Sequence, residues 1–224
     1  MKELNHEGHI ERYLQEFQVS LSDGVVLMAA SSLAGKHTLP FPPSLPAVLT
    51  DLENVNLSGM QTILEHVYPG AFEIWSVSEN PDGSLEHLTM PLSQLGAMRR
   101  IDAIFIPALA KDASLEAFQE VIAHLRAPDG CPWDREQTHD SLRKHLLEES
   151  YEALAALDAR DTTAMSEEFG DLLLQIVLHA QIAVEAGEFR MADILQGINR
   201  KIVRRHPHVF GDIHVDGVSN VLQN

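Results

Sequence analysis

The chain has 224 residues, 45% hydrophobic and 22% charged, which suits one large or two small globular domains. Its 33 acids against 16 Lys plus Arg give a net charge of −17. That argues against a general nucleic-acid or anionic-membrane binder, since both need a basic surface, but leaves room for a phosphate ligand bridged by metal ions. Cys131 is the only cysteine, so no internal disulfide forms and a reducing, cytoplasmic setting is expected. No signal-peptide pattern opens the chain, and no apolar run of about eighteen residues suggests a membrane span.

Residues 1–20 carry Ile10, Tyr13, Leu14 and Phe17 at helical spacing, the pattern of a short amphipathic helix. Val25 to Ala30 reads as a buried strand or a helix end. LPFPPSLP (39–46) holds four prolines in eight residues and is a loop. Met60, Ile63, Leu64 and Val67 predict a helix from Ser58 to Tyr68, stopped by Pro69-Gly70. Phe72 to Val77 then reads as a strand, Asn80-Pro81-Asp82-Gly83 as a turn, and Leu85 to Met90 as the returning partner. Ile101 to Ile106 is a further apolar run closed by Pro107. Mixed strand and helix over 21–110 predict a small α/β or α+β unit without a Gly-rich phosphate loop or acid cluster, which reads as a structural or dimerising module.

The character changes near 108–114, which predicts units 1–110 and 111–224 and an α+β chain overall. Ser114 caps a predicted helix to Leu125, with Leu115, Phe118, Val121, Ile122 and Leu125 on one face. APDGCPWDREQTH (127–139) is a turn-rich loop. Ser141 to Leu157 reads as helix, with Leu142, Leu146, Tyr151 and Leu154 apolar, followed by a turn at 158–161. A long helix from Thr163 to Ala186, closed by Gly187, is apolar on most faces, so a helical bundle or a subunit interface should cover it. Met191 to Arg205 is a last helix, and the tail HPHVFGDIHVDGV reads as loop.

The chemistry concentrates in a repeated acid pattern. Glu148-Glu149-Ser150-Tyr151-Glu152 and Glu167-Glu168-Phe169-Gly170-Asp171 both read acid-acid-x-x-acid. Residues three and four apart share a helix face, and like charges there destabilise an isolated helix by roughly 0.2–0.5 kcal/mol per pair. Two such clusters on antiparallel neighbours call for a cation between them. The hard oxygens of Glu149, Glu152, Glu168 and Asp171 suit Mg²⁺ or Mn²⁺. Glu148 and Glu167 are candidates for further ligands or a base. A merely solvated acidic face is the alternative.

Arg200, Lys201, Arg204 and Arg205 place four basic side chains within six residues, and Lys201, Arg204 and Arg205 share a face suited to phosphate oxygens. Cations favoured by a helix C-terminus are the plainer explanation. Trp133 either stacks on a base or anchors its loop. Cys131 reads as a structural thiol, His179 as a satisfied core residue, and His206 and His208 lack a zinc pattern.

The segments LRAPDGCPWDREQTHDSLRKHLLEESYEAL, EEFGDLLLQIVLHAQIA and KIVRRHPHVFGD, spanning about 125–212, resemble the MazG nucleoside triphosphate pyrophosphohydrolases in order and spacing. The resemblance implies an all-α, usually homodimeric Mg²⁺ enzyme that cuts nucleoside triphosphates between the α and β phosphates. It implies Glu149, Glu152, Glu168 and Asp171 as metal ligands, Lys201, Arg204 and Arg205 as phosphate contacts, and Trp133 near the nucleotide. Residues 21–110 resemble the C-terminal part of tetrapyrrole (SAM-dependent) methylases, through ILEHVYPG, the hairpin and IDAIFIPAL. The glycine-rich SAM-binding portion is not in the sequence, so methylase activity is not expected. A short Trp-containing segment expected past Asn224 is also missing, which implies weaker nucleotide affinity. Two rival functions stay open, a non-hydrolysing nucleotide-binding or dimerising scaffold and a pyrophosphohydrolase of phosphoribosyl-linked nucleotides.

Overall fold

A computed structural model of the chain describes residues 3–211, in two compact units, Met1–Phe118 and Gln119–Asn224. In the first, β1 (Val26–Ala29), β2 (Ala47–Thr50), β3 (Glu73–Glu79), β4 (Leu85–Pro91) and β5 (Ala103–Ile106) form one mixed sheet in the order β1-β2-β5-β3-β4. The β1–β2 pair is parallel and the other pairs are antiparallel. Side chains alternate across a strand, so the sheet feeds two cores, one on each face. Ala47, Leu49, Ile104 and Ile106 face α2 (Leu57–Glu65) through Met60, Ile63 and Leu64. Val48, Val77, Ala103 and Phe105 face α1 (Glu3–Glu16) and the residue just after it through Tyr13, Leu14 and Phe17.

The local signals have physical causes. Asn56 caps α2 by accepting from the Gly59 N–H at 3.1 Å. The β3–β4 turn closes with Gly83 N–H donating to the Asn80 carbonyl at 2.9 Å. The apolar run at 25–30 is strand over Val26–Ala29, which resolves that alternative. Strand β2 was not anticipated. Its four residues are buried on both faces and lack alternation, so they follow the proline loop without a readable pattern. Tyr68 is buried, its hydroxyl has no partner among the described residues, and burial pushes its phenol up to about 12.

The segment entering α3 (Leu115–Arg126) is tied back to the N-terminal unit, since Leu109 N–H donates to the Pro43 carbonyl and Ser44 Oγ donates to Ser114 Oγ. The units therefore part at Phe118, inside α3. Ser114 Oγ accepts from Ala117 N–H at 3.2 Å and caps the helix as expected. Ile122 is its buried residue, whereas Val121, expected on the same face, is 52% exposed.

The second unit continues with α4 (Pro132–Glu136), α5 (Arg143–Ala159), α6 (Thr162–Ala186), α7 (Met191–Arg205) and α8 (Pro207–Phe210). Two corrections follow. The 127–139 stretch holds the short helix α4, started by Pro132 at its first turn. Pro207 likewise opens a single turn in the tail, and 212–218 lie outside the described residues. Gly130 lets this loop fold onto the end of α3: a Cβ there would stand 2.3 Å from the carbonyl oxygens of His124 and Leu125. The α5 face also differs from expectation. Ala153 and Ala156 are its buried helical residues, while Leu146, Tyr151 and Leu154 are exposed, because small side chains let α6 approach closely.

Candidate metal centre

Helices α5 and α6 pack against each other across a two-residue connection, which makes them antiparallel. Arg160 ends α5 in the left-handed region (φ 55°), its N–H donating to the Ala156 and Leu157 carbonyls. Asp161 starts α6 by accepting from Thr163 N–H at 3.0 Å and Ala164 N–H at 3.1 Å. Glu152 and Glu168 stand eight residues either side of Arg160, and Glu149 and Asp171 eleven either side. An antiparallel hairpin brings such mirror positions level.

Ligand oxygens of Glu149, Glu152 and Glu168 lie within 4.8 Å of one another. Asp171 is outside that triplet, yet its charge acts on both Glu149 and Glu168. Partial burial holds the Glu149 carboxyl above its usual range, helped by the charges of Asp171, Glu152 and Glu168 and a hydrogen bond with Glu152. Glu168 is raised too, by desolvation first and then by Glu152, Asp171 and Glu167. The cluster is short of positive charge. Two oxygens on one octahedral ion at about 2.1 Å are roughly 3–4 Å apart, so small rotamer shifts would seat a hard cation in this all-carboxylate set.

The remaining candidates fall in different places. Glu148 is exposed and turned to Lys144 at 3.1 Å and His145 at 3.6 Å. Glu167 is exposed and close enough to raise Glu168. Trp133 on α4 is 57% exposed and meets His145 edge-on, with centroids 6.3 Å apart. His145 is one helical turn before Glu149 on the same face of α5, so Trp133 flanks the approach to the carboxylates. Lys201, Arg204 and Arg205 are exposed on α7, and among the described residues no hydrogen bond or ion pair joins them to the cluster.

Sequence reasoning passed over two supports of this site. Arg126, its side chain 5% exposed, pairs with both oxygens of Glu185 on α6 and donates to the Asp134 and Gln137 carbonyls around α4. Nothing marks it in sequence, because its partners are 8 to 59 residues away. The second is His139, whose Nδ1 lies 2.7 Å from Nδ1 of His179, with the rings stacked at 5.0 Å. His179 is thus only half the satisfied core residue expected: its buried Nε2 has no partner among the described residues, and burial and His139 lower its pKa. Both contacts fix the Trp133 segment against α6.

Much of the apolar surface of these helices is open. Tyr151, Leu154 and Leu157 on α5, Phe169, Leu173 and Ile176 on α6, and Leu195, Ile198 and Ile202 on α7 are all at least 40% exposed. Helix α6 also proves long and apolar enough to cross a membrane by length and composition alone, contrary to the expectation that no segment would be. Its Gln175 and His179 interrupt what would otherwise be a continuous apolar run.

Residues 137–210 match the family model described as the MazG nucleotide pyrophosphohydrolase domain. That span contains the four carboxylates and the basic end of α7. Among similar proteins, a nucleoside triphosphate pyrophosphohydrolase/pyrophosphatase MazG of Thermotoga maritima is 52% identical over 97 residues, covering 43% of this chain and 38% of its own. A nucleoside triphosphate pyrophosphohydrolase of Escherichia coli is 46% identical over 103 residues, 46% of this chain and 39% of its own. The uncharacterized protein YabN of Bacillus subtilis is 39% identical over 179 residues, 77% of this chain and 37% of its own. The last match is longer than the helical unit, so it takes in much of the N-terminal unit as well. The chain spans well under half the length of each of these relatives.

Proposed function

We propose that the helical unit hydrolyses nucleoside triphosphates between the α and β phosphates, releasing a nucleoside monophosphate and pyrophosphate. The observation that carries this reading is the convergence of Glu149, Glu152 and Glu168 from mirror positions of one hairpin, inside the matched span. These three and Asp171 would hold Mg²⁺, with Mn²⁺ as a substitute. When bound, the metal supplies charge for the triphosphate and lowers the pKa of a water at the α phosphorus. Of the two base candidates, Glu167 is favoured, since it neighbours Glu168 while Glu148 is engaged with Lys144. Lys201, Arg204 and Arg205 neutralise the leaving pyrophosphate. Trp133 stacks on the base beside the carboxylates.

The uncovered apolar strips support a homodimer or higher homo-oligomer that completes an all-α bundle of the MazG type. In this reading the protein is cytoplasmic and needs no nucleic acid or membrane. The N-terminal unit corresponds in this reading to the C-terminal part of a tetrapyrrole methylase.

Chromatography of each NTP and dNTP incubated with the protein, with Mg²⁺ or with chelator, tests the reaction. Monophosphate plus pyrophosphate, formed only with metal, is the expected product pair. Diphosphate plus phosphate, or no turnover by folded protein with Mg²⁺, would reject it.

A further inference from the structure

The N-terminal unit has a cleft that the hydrolysis does not use. It measures about 600 Å³, within the range of roughly 300–1,000 Å³ usual for small-molecule sites. Asn56, Gly59, Met60, Ile63 and His66 line it at three- and four-residue steps, so it runs along one face of α2. Nine helical residues at 1.5 Å each make that face about 13 Å long. The opposite wall is the segment from Ala30 to His37. Leu33, Met60 and Ile63 belong to the main core, so the floor is apolar and held by packing.

The two ends of the cleft differ in charge. Near the C-terminal end of α2, the His66 Nδ1–H donates to the His37 carbonyl at 2.6 Å, and Lys36 lines the cleft beside His37. That bond fixes the ring, leaving Nε2 to accept a proton from an acidic group or, as imidazolium, to donate to it. Lys36 has no ion pair among the described residues. At the other end, Glu53 and Asn54 precede the helix, and Asn54 turns the chain there in the left-handed region (φ 62°). A carboxylate at one end and an unpaired ammonium at the other select a direction for a charged ligand.

We infer that this cleft binds an elongated, mostly apolar small molecule with one anionic group. Its body lies over Leu33, Met60 and Ile63, and its anion sits at Lys36 and His66. The site is independent of the hydrolase centre, so it stands or falls apart from the function proposed above.

The test uses the full chain with methyl-labelled Met and Ile. The probes are 8-anilinonaphthalene-1-sulfonate and its uncharged analogue N-phenyl-1-naphthylamine. Saturable shifts of the Met60 and Ile63 methyl signals are expected with both. Ala34 is exposed, with φ −59°, so Ala34→Trp fills the cleft without backbone strain and should weaken both probes at least tenfold. Lys36→Glu should weaken the sulfonate about fivefold or more and leave the uncharged analogue unchanged. Displacement of the sulfonate from the Met60 and Ile63 signals by decanoate would assign an aliphatic carboxylate, and displacement by decyl phosphate an aliphatic phosphate. Methyl signals that do not move, wild-type binding by Ala34→Trp, equal effects of Lys36→Glu on both probes, or displacement by neither competitor would each overturn the inference.

Discussion

The two units bury their apolar side chains to very different degrees. Among the described residues, four large apolar side chains are exposed in the N-terminal unit, against eighteen in the helical one. The largest fully buried side chains reverse the pattern: all but Ile122 and Leu142 belong to the N-terminal unit. A five-stranded sheet covered on both faces closes its own core. A helical hairpin with α7 beside it leaves apolar stripes on three helices, which only further helices can cover. The carboxylate site lies in the unit that leaves more of its apolar surface open.

The sharpest way to break this contrast is at the chemistry. Glu168→Ala is expected to lower turnover by about a thousandfold or more, while the metal-free protein melts at the same or a higher temperature because a like charge is gone. Activity assays beside thermal melts in chelator read both halves. A retained rate in a folded variant would remove Glu168 from the ligand set.

The next largest effect concerns the open stripes. Under the homo-oligomer proposed above, Ile176→Lys should split the assembly and lower stability by about 2 kcal/mol or more. Leu27→Lys, at a similarly exposed position on β1, should change neither by more than about 0.5 kcal/mol. Light scattering after size exclusion, with urea titrations, compares them. Equal behaviour of the two variants would erase the distinction between the units.

Arg126→Met should destabilise the helical unit by about 2 kcal/mol, because it strips the Glu185 pair and two carbonyl contacts; the figure is discounted for the exposure of Glu185. Glu185 is held below its ordinary value of 4.5, chiefly by its hydrogen bond to Arg126. A depressed carboxyl stabilises above the unfolded value and loses that contribution as pH falls through the folded one. The gap between wild type and variant should therefore narrow below pH 4.5, as denaturant titrations at pH 7 and pH 3.5 would show. The smallest effect is expected in the closed core. Tyr68→Phe removes a buried hydroxyl without a partner and should be neutral or stabilising by up to about 1 kcal/mol, measured by thermal melt.

Features readable in sequence were those whose cause is local. The Asn80–Gly83 turn, the Ser114 cap, the Gly187 stop and the spacing of α2 depend on neighbours within a turn, and each was visible in advance. So was the doubled acid pattern, because its geometry follows from helical period and a short connection. Strand β2 escaped because a fully buried central strand carries no alternation. Arg126 and the His139–His179 contact escaped because pairing across tens of residues leaves no periodic trace. The exposed Tyr151 and Leu154 show a further limit: periodicity says that a face is apolar, not whether the same chain covers it.

The Arg160–Asp161 link sets the phase of the carboxylate cluster. One residue inserted there would change where α6 starts against α5, and so carry Glu168 and Asp171 out of level with Glu152 and Glu149. Two residues that touch no ligand thereby act as a length standard for the site. Substitutions in the link should be tolerated wherever a left-handed turn and a cap survive, whereas any change in its length should not. The hairpin is a part to be transplanted whole into designed helical scaffolds, with its turn uncut.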